Sequence, residues 1–536
     1  MNYNLCDEPW ILLMGKDGQT KTAGLQDTFL NLHEYLSFAG EIRLQDTAML
    51  RLFSAISVTM IYQLDLNGME DFTTDKNRLM DRFRKIWEQG KFPEKMIRNY
   101  FGKWSDRFYL IGGEHPFYQV PEAAVQTEIK NKGKKSEEVL YKLPDRDGNL
   151  KVMNKKPISS LNGTILDSNN KIAAYSDTAA EGKKYMTLAE SARWLLWYMA
   201  YADCGTKSPG KWASQMTFPS SGTLVFPTGI NLFETVMLNS VLLKEGERPY
   251  DCVRPVWERE PSVIVQDDPY ADAAPQNLPE LYTQQSRRII FRCKDDKVTD
   301  AYVIAGDRYA VPNAFIEPMF LWKKDSSDKS GSTFVTVKYD VVSSWNNLRN
   351  VLLSSGTSRS VRWIRQLEDE GILEDRNIPF LMTGITYGSM QSAIDKMVSD
   401  EVIVNAQFFA DDLKKDDMEK VIGIINELAR EFYKFGNNLE TAEGADRDFA
   451  KVRGRDVEQS FLEEAEVCFR RFLKNELDKI RIYKELWNVC REISENEMEK
   501  ADLNSYTNGE MTAAIAEKIL WKGINIIGNC ETNVTS

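Results

Sequence analysis

The chain has 536 residues, of which 42% are hydrophobic and 28% charged, and its formal net charge is −12. This composition excludes disordered and fibrous proteins, and the length predicts two to four globular domains. No run approaches the roughly 18 apolar residues of a membrane span, and the N-terminus lacks the basic and apolar regions of a signal peptide. We therefore expect a cytoplasmic protein with no membrane partner.

The cysteines and histidines give little indication of a metal site or of redox chemistry. The seven cysteines lie far apart with no C-x-x-C spacing, and His33 and His115 are the only histidines. Histidine-rich metal centres and most catalytic triads are therefore excluded, and we expect neither a metal nor a cofactor.

The charge is unevenly distributed along the chain. Residues 366–536 hold 35 Asp and Glu against 21 Lys and Arg, a net of −14, which leaves +2 for residues 1–365. Phosphate binding depends on local clusters of Lys and Arg, so the acidic average does not exclude nucleic-acid binding by the first two thirds.

The first hundred residues predict a hairpin followed by helices. The hairpin covers residues 8–30, with a turn at Lys16-Asp17-Gly18. Asp46 is a candidate cap for the next helix, and further helices are predicted over 75–89 and 93–101.

Two stretches after these helices differ in character. Residues 104–121 (WSDRFYLIGGEHPFYQVP) carry five aromatic residues and predict a strand, a glycine turn and a second extended piece, which we interpret as a core hairpin. Residues 129–156 hold nine Lys and Arg against four Asp and Glu. We interpret them as a mobile basic insertion, either a solvated loop or a phosphate-contacting arm.

Three loops of small and polar residues are candidates for function. Residues 159–177 lead into a helix that starts near Thr187 and ends in YADCGTKSPGKW (201–212). This second, glycine-containing loop can bring backbone N–H groups close to a phosphate, but it lacks the P-loop spacing, and a plain helix-ending loop fits equally well. The third loop, GITYGSMQSAID (384–395), follows a strand near 379–382 and is predicted to lead into a helix.

The middle of the chain predicts mixed structure. Residues 222–243 predict a strand and a helix capped by Asn231, and residues 287–291 and 301–305 predict paired strands. Residues 320–365 are basic, and within them three arginines at a spacing of three share one helix face: Arg359, Arg362 and Arg365.

The last third of the chain predicts helices. They cover 388–410, 416–437, 456–477, 478–503 and 508–528, and the last four are long enough for an antiparallel four-helix bundle with a charged exterior. The predicted fold class is α+β. A large mixed N-terminal domain covers 1–378, and the C-terminal helical bundle covers 379–536.

Several stretches together resemble one family, in order along most of the chain. They are DEPWILL (7–13), WSDRFYLIGGEHPFYQVP (104–121), AESARWLLWYMAYADCGTKSPG (189–210), GINLFETVMLNSVLL (229–243), LPELYTQQSRRI (278–289) and YGSMQSAIDKMVSD (387–400). The pattern is similar to the CasA family, the large subunits of type I-E CRISPR Cascade surveillance complexes.

The resemblance implies a non-catalytic subunit that binds nucleic acid. Such a subunit reads the protospacer-adjacent motif (PAM) of foreign double-stranded DNA through minor-groove loops, promotes duplex opening and helps recruit a helicase-nuclease. The implied partners are the CRISPR RNA, the target DNA and the other Cascade subunits, namely the backbone, 5′-handle-binding and small subunits.

The resemblance also implies which residues make the contacts. The implied DNA- and PAM-binding residues are Gly205, Lys207, Ser208, Lys211, Gly388, Ser389, Met390, Gln391 and Arg308, with Met390 or Gln391 as the wedge beside the PAM. The implied residues of the loop that docks the complex or its RNA are Asn170, Lys171, Ala174 and Tyr175. The chain departs from some relatives in having a single glycine before Lys207, and its Ser-Met-Gln wedge loop does not carry over a PAM preference.

Two alternatives to this function stay open. One is an architectural subunit whose loops make protein contacts only. The other is a metal-dependent nuclease that uses acidic pairs, although adjacent residues on a helix point in different directions. The candidate pairs are Asp267-Asp268, Asp295-Asp296, Asp411-Asp412 and Asp416-Asp417.

Overall fold

The computed structural model describes residues 2–131, 137–164, 184–202, 222–244, 247–265, 275–307, 317–324, 334–337, 358–388, 394–507 and 509–532. Its strands are β1 (Tyr3–Asn4), β2 (Ile11–Gly15), β3 (Thr20–Ala23), β4 (Tyr35–Phe38), β5 (Tyr109–Ile111), β6 (Gln126–Asn131), β7 (Glu137–Pro144), β8 (Leu150–Val152), β9 (Asn154–Pro157), β10 (Met186–Thr187), β11 (Thr223–Pro227), β12 (Leu243–Lys244), β13 (Arg248–Pro249), β14 (Arg287–Lys294), β15 (Lys297–Ala305), β16 (Trp322–Lys324), β17 (Phe334–Thr336), β18 (Asn377–Tyr387) and β19 (Ile394–Asn405). Its helices are α1 (Leu25–Leu30), α2 (Arg43–Gln63), α3 (Lys76–Gln89), α4 (Glu94–Trp104), α5 (Leu188–Tyr201), α6 (Leu232–Leu238), α7 (Leu278–Tyr282), α8 (Arg359–Asp369), α9 (Gln407–Ala410), α10 (Asp412–Ala442), α11 (Arg447–Leu473), α12 (Lys479–Lys500) and α13 (Ala513–Thr532). These elements confirm the predicted α+β class.

The described residues fall into two compact units. The first unit contains the described residues up to 337 together with 358–367, 380–388 and 394–401, and the second contains 368–379, 402–507 and 509–532. A single boundary between residues 378 and 379 stays a prediction. Residues 368–378, before it, belong to the second unit, and residues 380–388, just after it, belong to the first.

The strands form small sheets. Two of them matter for the site: β11-β18-β19, and β10-β15-β14 with β9 also paired to β15. The others are β1-β5, β3-β2-β4, β6-β7-β8, β12-β13 and β16-β17.

Helix α2 is the central helix of the first unit. Nearly all of its residues are buried, so it is enclosed on all sides. Some of its buried polar side chains are paired with other segments. The hydroxyl of Ser57 lies 2.8 Å from that of Ser240, and the Tyr62 hydroxyl donates to the Leu242 carbonyl at 2.5 Å.

The predictions for the first hundred residues are confirmed except for one helix cap. The first hairpin forms, with Ile11 opposite Ala23, and the helices after it are α2, α3 and α4. Asp46 does not cap α2. The helix begins after Ile42, and Asp46 accepts from the Gly40 N–H at 2.7 Å instead.

Residues 104–121 do not form the predicted hairpin. Strand β5 pairs with β1, while the stretch after the glycines is not a strand. The physical reason lies in its backbone. Pro116 and Pro121 have no N–H to donate to a ladder, and Tyr118 adopts a positive φ of 55°.

The described part of the basic insertion is also different from the prediction of a mobile loop. It forms the three-stranded sheet β6-β7-β8. Leu143 and Met153 are buried in a cluster with Ile290, Tyr302 and Ile304 of the β14-β15 pair. Leu143 and Met153 therefore attach the insertion to the hydrophobic core.

The second unit confirms the predicted C-terminal four-helix bundle. Helix α10 packs against α11 and α13, and α11 packs against α12. The connections between successive helices are short, which favours antiparallel neighbours. Phe432 stacks on Phe461 with ring centroids 4.8 Å apart. A Cβ at Gly454 would lie 2.8 Å from the Tyr433 carbonyl oxygen, so α10 and α11 approach closely there.

The helix predicted over 388–410 is wrong. Residues 377–387 and 394–405 are the strands β18 and β19, which are neighbours in one sheet. Val398, Val402 and Val404 are buried at even spacing, as expected for a strand with one packed face.

Candidate nucleic-acid interface

Helix α5 lies between two of the segments that the sequence predicts as contacts, 165–183 and 203–221. A capping box holds its N-terminus, in which the Thr187 hydroxyl accepts from the Glu190 N–H at 3.2 Å and the Glu190 carboxylate accepts from the Thr187 N–H at 2.9 Å. Trp194 and Trp197 of its buried face pack edge to face, 5.5 Å apart. The sequence pattern thus places both ends of α5 where the structure has them.

The last turn of α5 offers carbonyl groups to side chains from distant segments. The Ser286 hydroxyl donates to the Met199 carbonyl at 2.6 Å, and the Tyr387 hydroxyl donates to the Tyr201 carbonyl. Carbonyl groups in the last turn of a helix have no partner within the helix. These two bonds therefore satisfy buried acceptors and attach the β14 and β18 regions to the end of α5.

The described flanks of three predicted contact segments meet at this end of α5. The first segment begins directly after Ala202, the residue that follows the helix. The second begins after Gly388, next to the Tyr387 that donates to α5. The third begins two residues after Gly306, whose N–H donates to the Ser286 carbonyl at 3.1 Å. Three segments far apart in sequence thus start from one place in the fold.

The strands that flank two of these segments are also neighbours. Strand β11 follows the segment 203–221, and it pairs with β18 from Thr223 opposite Gly384 to Pro227 opposite Phe380. Strand β18 leads in turn to Gly388. The end of one predicted loop and the start of another are therefore fixed by the same sheet.

The flanks of the segment 165–183 lie along α5 and β15. Gly163 packs so closely on Trp197 that a Cβ would lie 2.3 Å from the indole. On the other side, β10 pairs with β15, and Lys297 Nζ lies 3.8 Å from the centroid of the Tyr185 ring. Glycine at 163 is thus required by packing rather than by backbone conformation.

A buried ion pair holds Glu317, the first described residue after the segment 308–316. Arg51 of α2 and Glu317 are 3% and 0% exposed, and their charged atoms lie 2.7 Å apart. The Arg51 guanidinium also lies 4.1 Å from the centroid of the Tyr282 ring. Burial alone would lower the pKa of Arg51, but the Glu317 carboxylate together with Tyr282 and Tyr201 outweighs it and raises that pKa. Burial raises the pKa of the neighbouring Tyr201.

One of the predicted contact residues lies in the described part of the chain. Gly388 is half-buried and directly follows β18. The other predicted residues lie outside the described residues; they are Gly205, Lys207, Ser208, Lys211, Ser389, Met390, Gln391, Arg308, Asn170, Lys171, Ala174 and Tyr175.

The basic stretches contribute less free charge than the sequence indicates. Helix α8 forms as predicted, but its Arg359 is buried and donates to the Leu243 carbonyl. In the basic insertion, Lys155 lies 3.2 Å from Asp300. Arg359 is therefore a structural residue, and Lys155 is already ion-paired.

Two of the acidic pairs in the described part of the chain have structural explanations. Asp295 and Asp296 form the turn between β14 and β15 with φ of 51° and 59°. Asp411 caps α10 by accepting from the Leu413 N–H at 2.8 Å. No group of three or more His, Cys, Asp or Glu side chains suited to a metal is found among the described residues.

The sequence analysis missed the residues that hold this end of α5 together. They are Arg51, Glu317, Ser286 and Tyr387. Arg51 had a readable signal, because it is the one arginine inside the apolar run of α2 and a buried charge needs a partner. The other three had none, since a hydroxyl or carboxylate in a mixed segment is usually exposed.

No helix in the described ranges is long and apolar enough to cross a membrane.

Comparisons with known proteins identify the family of this chain. CasA/Cse1 of Thermus thermophilus is 28% identical over 262 residues, which cover 48% of this chain and 42% of that relative. The solved structure of Thermobifida fusca Cse1 shares the fold with a TM-score of 0.77 at 20% identity, over 98% of both chains. A chain of a CRISPR RNA-guided surveillance complex matches with a TM-score of 0.62 at 13% identity, over 98% of this chain and 99% of that one. The family model described as CRISPR-associated protein Cse1 matches residues 4–491, so the chain belongs to the Cse1 family.

Proposed function

We propose that this chain is the non-catalytic large subunit of a type I-E CRISPR RNA-guided surveillance complex. It recognises the PAM of foreign double-stranded DNA through minor-groove loops, promotes duplex opening and helps recruit the helicase-nuclease. Family membership supports the assignment to the complex. The observation that supports the DNA contact is that the described flanks of two predicted loops, and of the segment that begins at Arg308, meet at the end of α5.

The chemistry of the loops at 204–211 and 388–391 suits a minor-groove reader. Small residues such as Gly205 and Ser208 let backbone groups approach a narrow groove, whose donors and acceptors separate A·T from G·C and little more. Met390 or Gln391 would insert at a base step, where unstacking costs about a few kcal/mol. Opening at that step would let the guide RNA begin to pair with the target strand.

The partners follow from this role. The chain would bind the CRISPR RNA assembly through the loop containing Asn170, Lys171, Ala174 and Tyr175, and the target DNA through the loops at 204–211 and 388–391 and through Arg308. The backbone, 5′-handle-binding and small subunits and the helicase-nuclease complete the set of partners, and the setting is the cytoplasm.

The wedge assignment is tested in the reconstituted complex. Met390→Ala combined with Gln391→Ala should weaken binding of PAM-containing duplex by about tenfold or more, because the lost contact no longer offsets unstacking. Assembly should be unchanged. The matched control is Met69→Ala with Gln19→Ala, two exposed positions on other segments. Equal duplex binding by both double variants would remove the wedge assignment.

Two other functions are separated by simple outcomes. A purely architectural subunit would assemble normally and show no change in duplex affinity with any loop variant. A nuclease would cleave DNA as the isolated chain in the presence of a divalent metal. Co-purification with the products of neighbouring reading frames, followed by sequencing of bound short RNA, tests membership of the complex itself.

A further inference from the structure

A cavity of about 580 Å³ opens in the first unit, between the end of α2, the turn that follows it, α4 and residues 251–258. Its size lies within the range of small-molecule sites, about 300–1,000 Å³. None of the segments proposed to contact DNA lines it. The cavity therefore needs an explanation of its own.

Aromatic side chains form part of the cavity wall. Phe72, Tyr100 and Trp104 line it, and the Phe72 side chain is half exposed. A flat ligand would cover the exposed faces of these rings.

A fixed carboxylate also lines the cavity. Glu258 accepts from Gln63 Nε2 at 2.7 Å and from the Tyr100 hydroxyl at 2.9 Å, and the same hydroxyl accepts from Trp257 Nε1 at 2.9 Å. Within the described part of the chain, Glu258 has no ion-pair partner. Each carboxylate oxygen can accept two hydrogen bonds, so acceptor capacity remains for a ligand. Burial raises the pKa of Glu258, as expected for a carboxyl held away from water.

Four more charged side chains line the cavity, namely Glu70, Lys103, Asp251 and Arg254. The Asp251 carboxylate is already paired with Lys244 at 2.7 Å. Arg254 is exposed and makes no hydrogen bond or ion pair with any described residue. Lys103 pairs with Glu70 at 2.5 Å, and its Nζ lies 5.4 Å from the Trp104 ring centroid. Arg254 is therefore the cation that is available to an anionic ligand.

We propose that this cavity binds a single nucleotide, with the base against the aromatic side chains, an exocyclic amine donating to Glu258 and the phosphate at Arg254. The three requirements, a flat ring, a donor and an anion, are met together by adenine, cytosine and guanine nucleotides. Bases stack on aromatic side chains whatever their sequence, and carboxylates accept from exocyclic amines. A cationic side chain of a partner protein would suit Glu258 and the rings, but it would leave Arg254 without a counter-charge.

The nucleotide could be free or part of a strand, and the binding experiment distinguishes these sources. Isothermal titration of the full chain uses AMP, CMP, GMP and UMP, the matching nucleosides, and trinucleotides of the same bases. Tighter binding of a trinucleotide than of its mononucleotide assigns the site to a strand. The reverse order assigns it to a free nucleotide.

Variants identify the cavity as the site of binding. Arg254→Ala should weaken the preferred nucleotide by about tenfold, the loss expected for one charge-assisted hydrogen bond, and leave the matching nucleoside unchanged. Arg248→Ala, which removes an exposed arginine of β13 outside the cavity, should change neither. Glu258→Gln should shift the preference towards UMP, because a glutamine amide can donate to the uracil carbonyl.

Three results would overturn the proposal. They are the absence of binding by every nucleotide at millimolar concentration, nucleotide binding that Arg254→Ala and Glu258→Gln both leave unchanged, and tighter binding of methylguanidinium than of any nucleotide. The proposal does not rest on PAM recognition. PAM-duplex binding by the complex, measured in parallel with Arg254→Ala, reports on that function separately.

Discussion

Different interactions stabilise the interior of each of the two units. In the four-helix bundle, apolar faces at helical spacing meet over short connections, as in the stacked pair Phe432 and Phe461. At the end of α5, by contrast, a few buried polar contacts join segments far apart in sequence. Arg51 bonds Glu317 across 266 positions, and Tyr387 bonds the Tyr201 carbonyl across 186. The loop-bearing region should therefore respond strongly to single polar changes.

The largest expected effect is at the buried ion pair. Arg51→Met should lower the free energy of unfolding of the first unit by about 3–5 kcal/mol, because it leaves the Glu317 carboxylate buried without a partner. Urea denaturation followed by tryptophan fluorescence measures this. The double variant Arg51→Met with Glu317→Leu removes both charges and should recover most of the loss. A double variant no more stable than the single one would mean that the packing of Arg51, not its charge, holds the segment.

The bundle should respond to volume instead. Gly454→Ala should destabilise it by about 1–3 kcal/mol, because the new methyl group meets the Tyr433 backbone oxygen at 2.8 Å. Gly423→Ala is the matched control, since nothing lies within 4 Å of its Cβ position, and it should stabilise the helix by about 0.5–1 kcal/mol. Thermal unfolding followed by far-ultraviolet circular dichroism measures both. Equal effects of the two alanines would contradict the close approach of α10 and α11.

A smaller effect is expected at the contact between Tyr387 and α5. Tyr387→Phe should cost about 1–2 kcal/mol, because the buried Tyr201 carbonyl loses its donor. PAM-duplex binding by the reconstituted complex should weaken as well, since β18 leads directly to the wedge loop. Tyr506→Phe, at an exposed tyrosine of the bundle, should change neither quantity. A loss of stability without any change in duplex affinity would mean that the Tyr387 hydrogen bond does not position the wedge loop.

The local parts of the fold could be predicted from the sequence. The Asn231 cap of α6, the start of α5 near Thr187 and the paired strands β14 and β15 follow from patterns within a few residues of each element. The long helices of the bundle are predictable for the same reason.

The failures lie where distant pairing decides the structure. Strand β5 pairs with β1 rather than with its own neighbour, and β19 is a strand because β18 lies beside it. The positions of the candidate loops along the chain came from a family resemblance. Their convergence could not be predicted, because it depends on hydrogen bonds from Ser286 and Tyr387 to α5 carbonyls.

Site-specific photo-crosslinking tests the convergence of the loops on DNA most directly. A photoreactive amino acid is placed at Lys207 in one variant and at Gln391 in another, and each reconstituted complex is irradiated on a duplex that contains the PAM. Both positions should crosslink to the PAM base pairs and to the same short window of DNA. Crosslinks from the two positions to separate DNA windows, or to protein alone, would contradict a shared minor-groove reader at the end of α5.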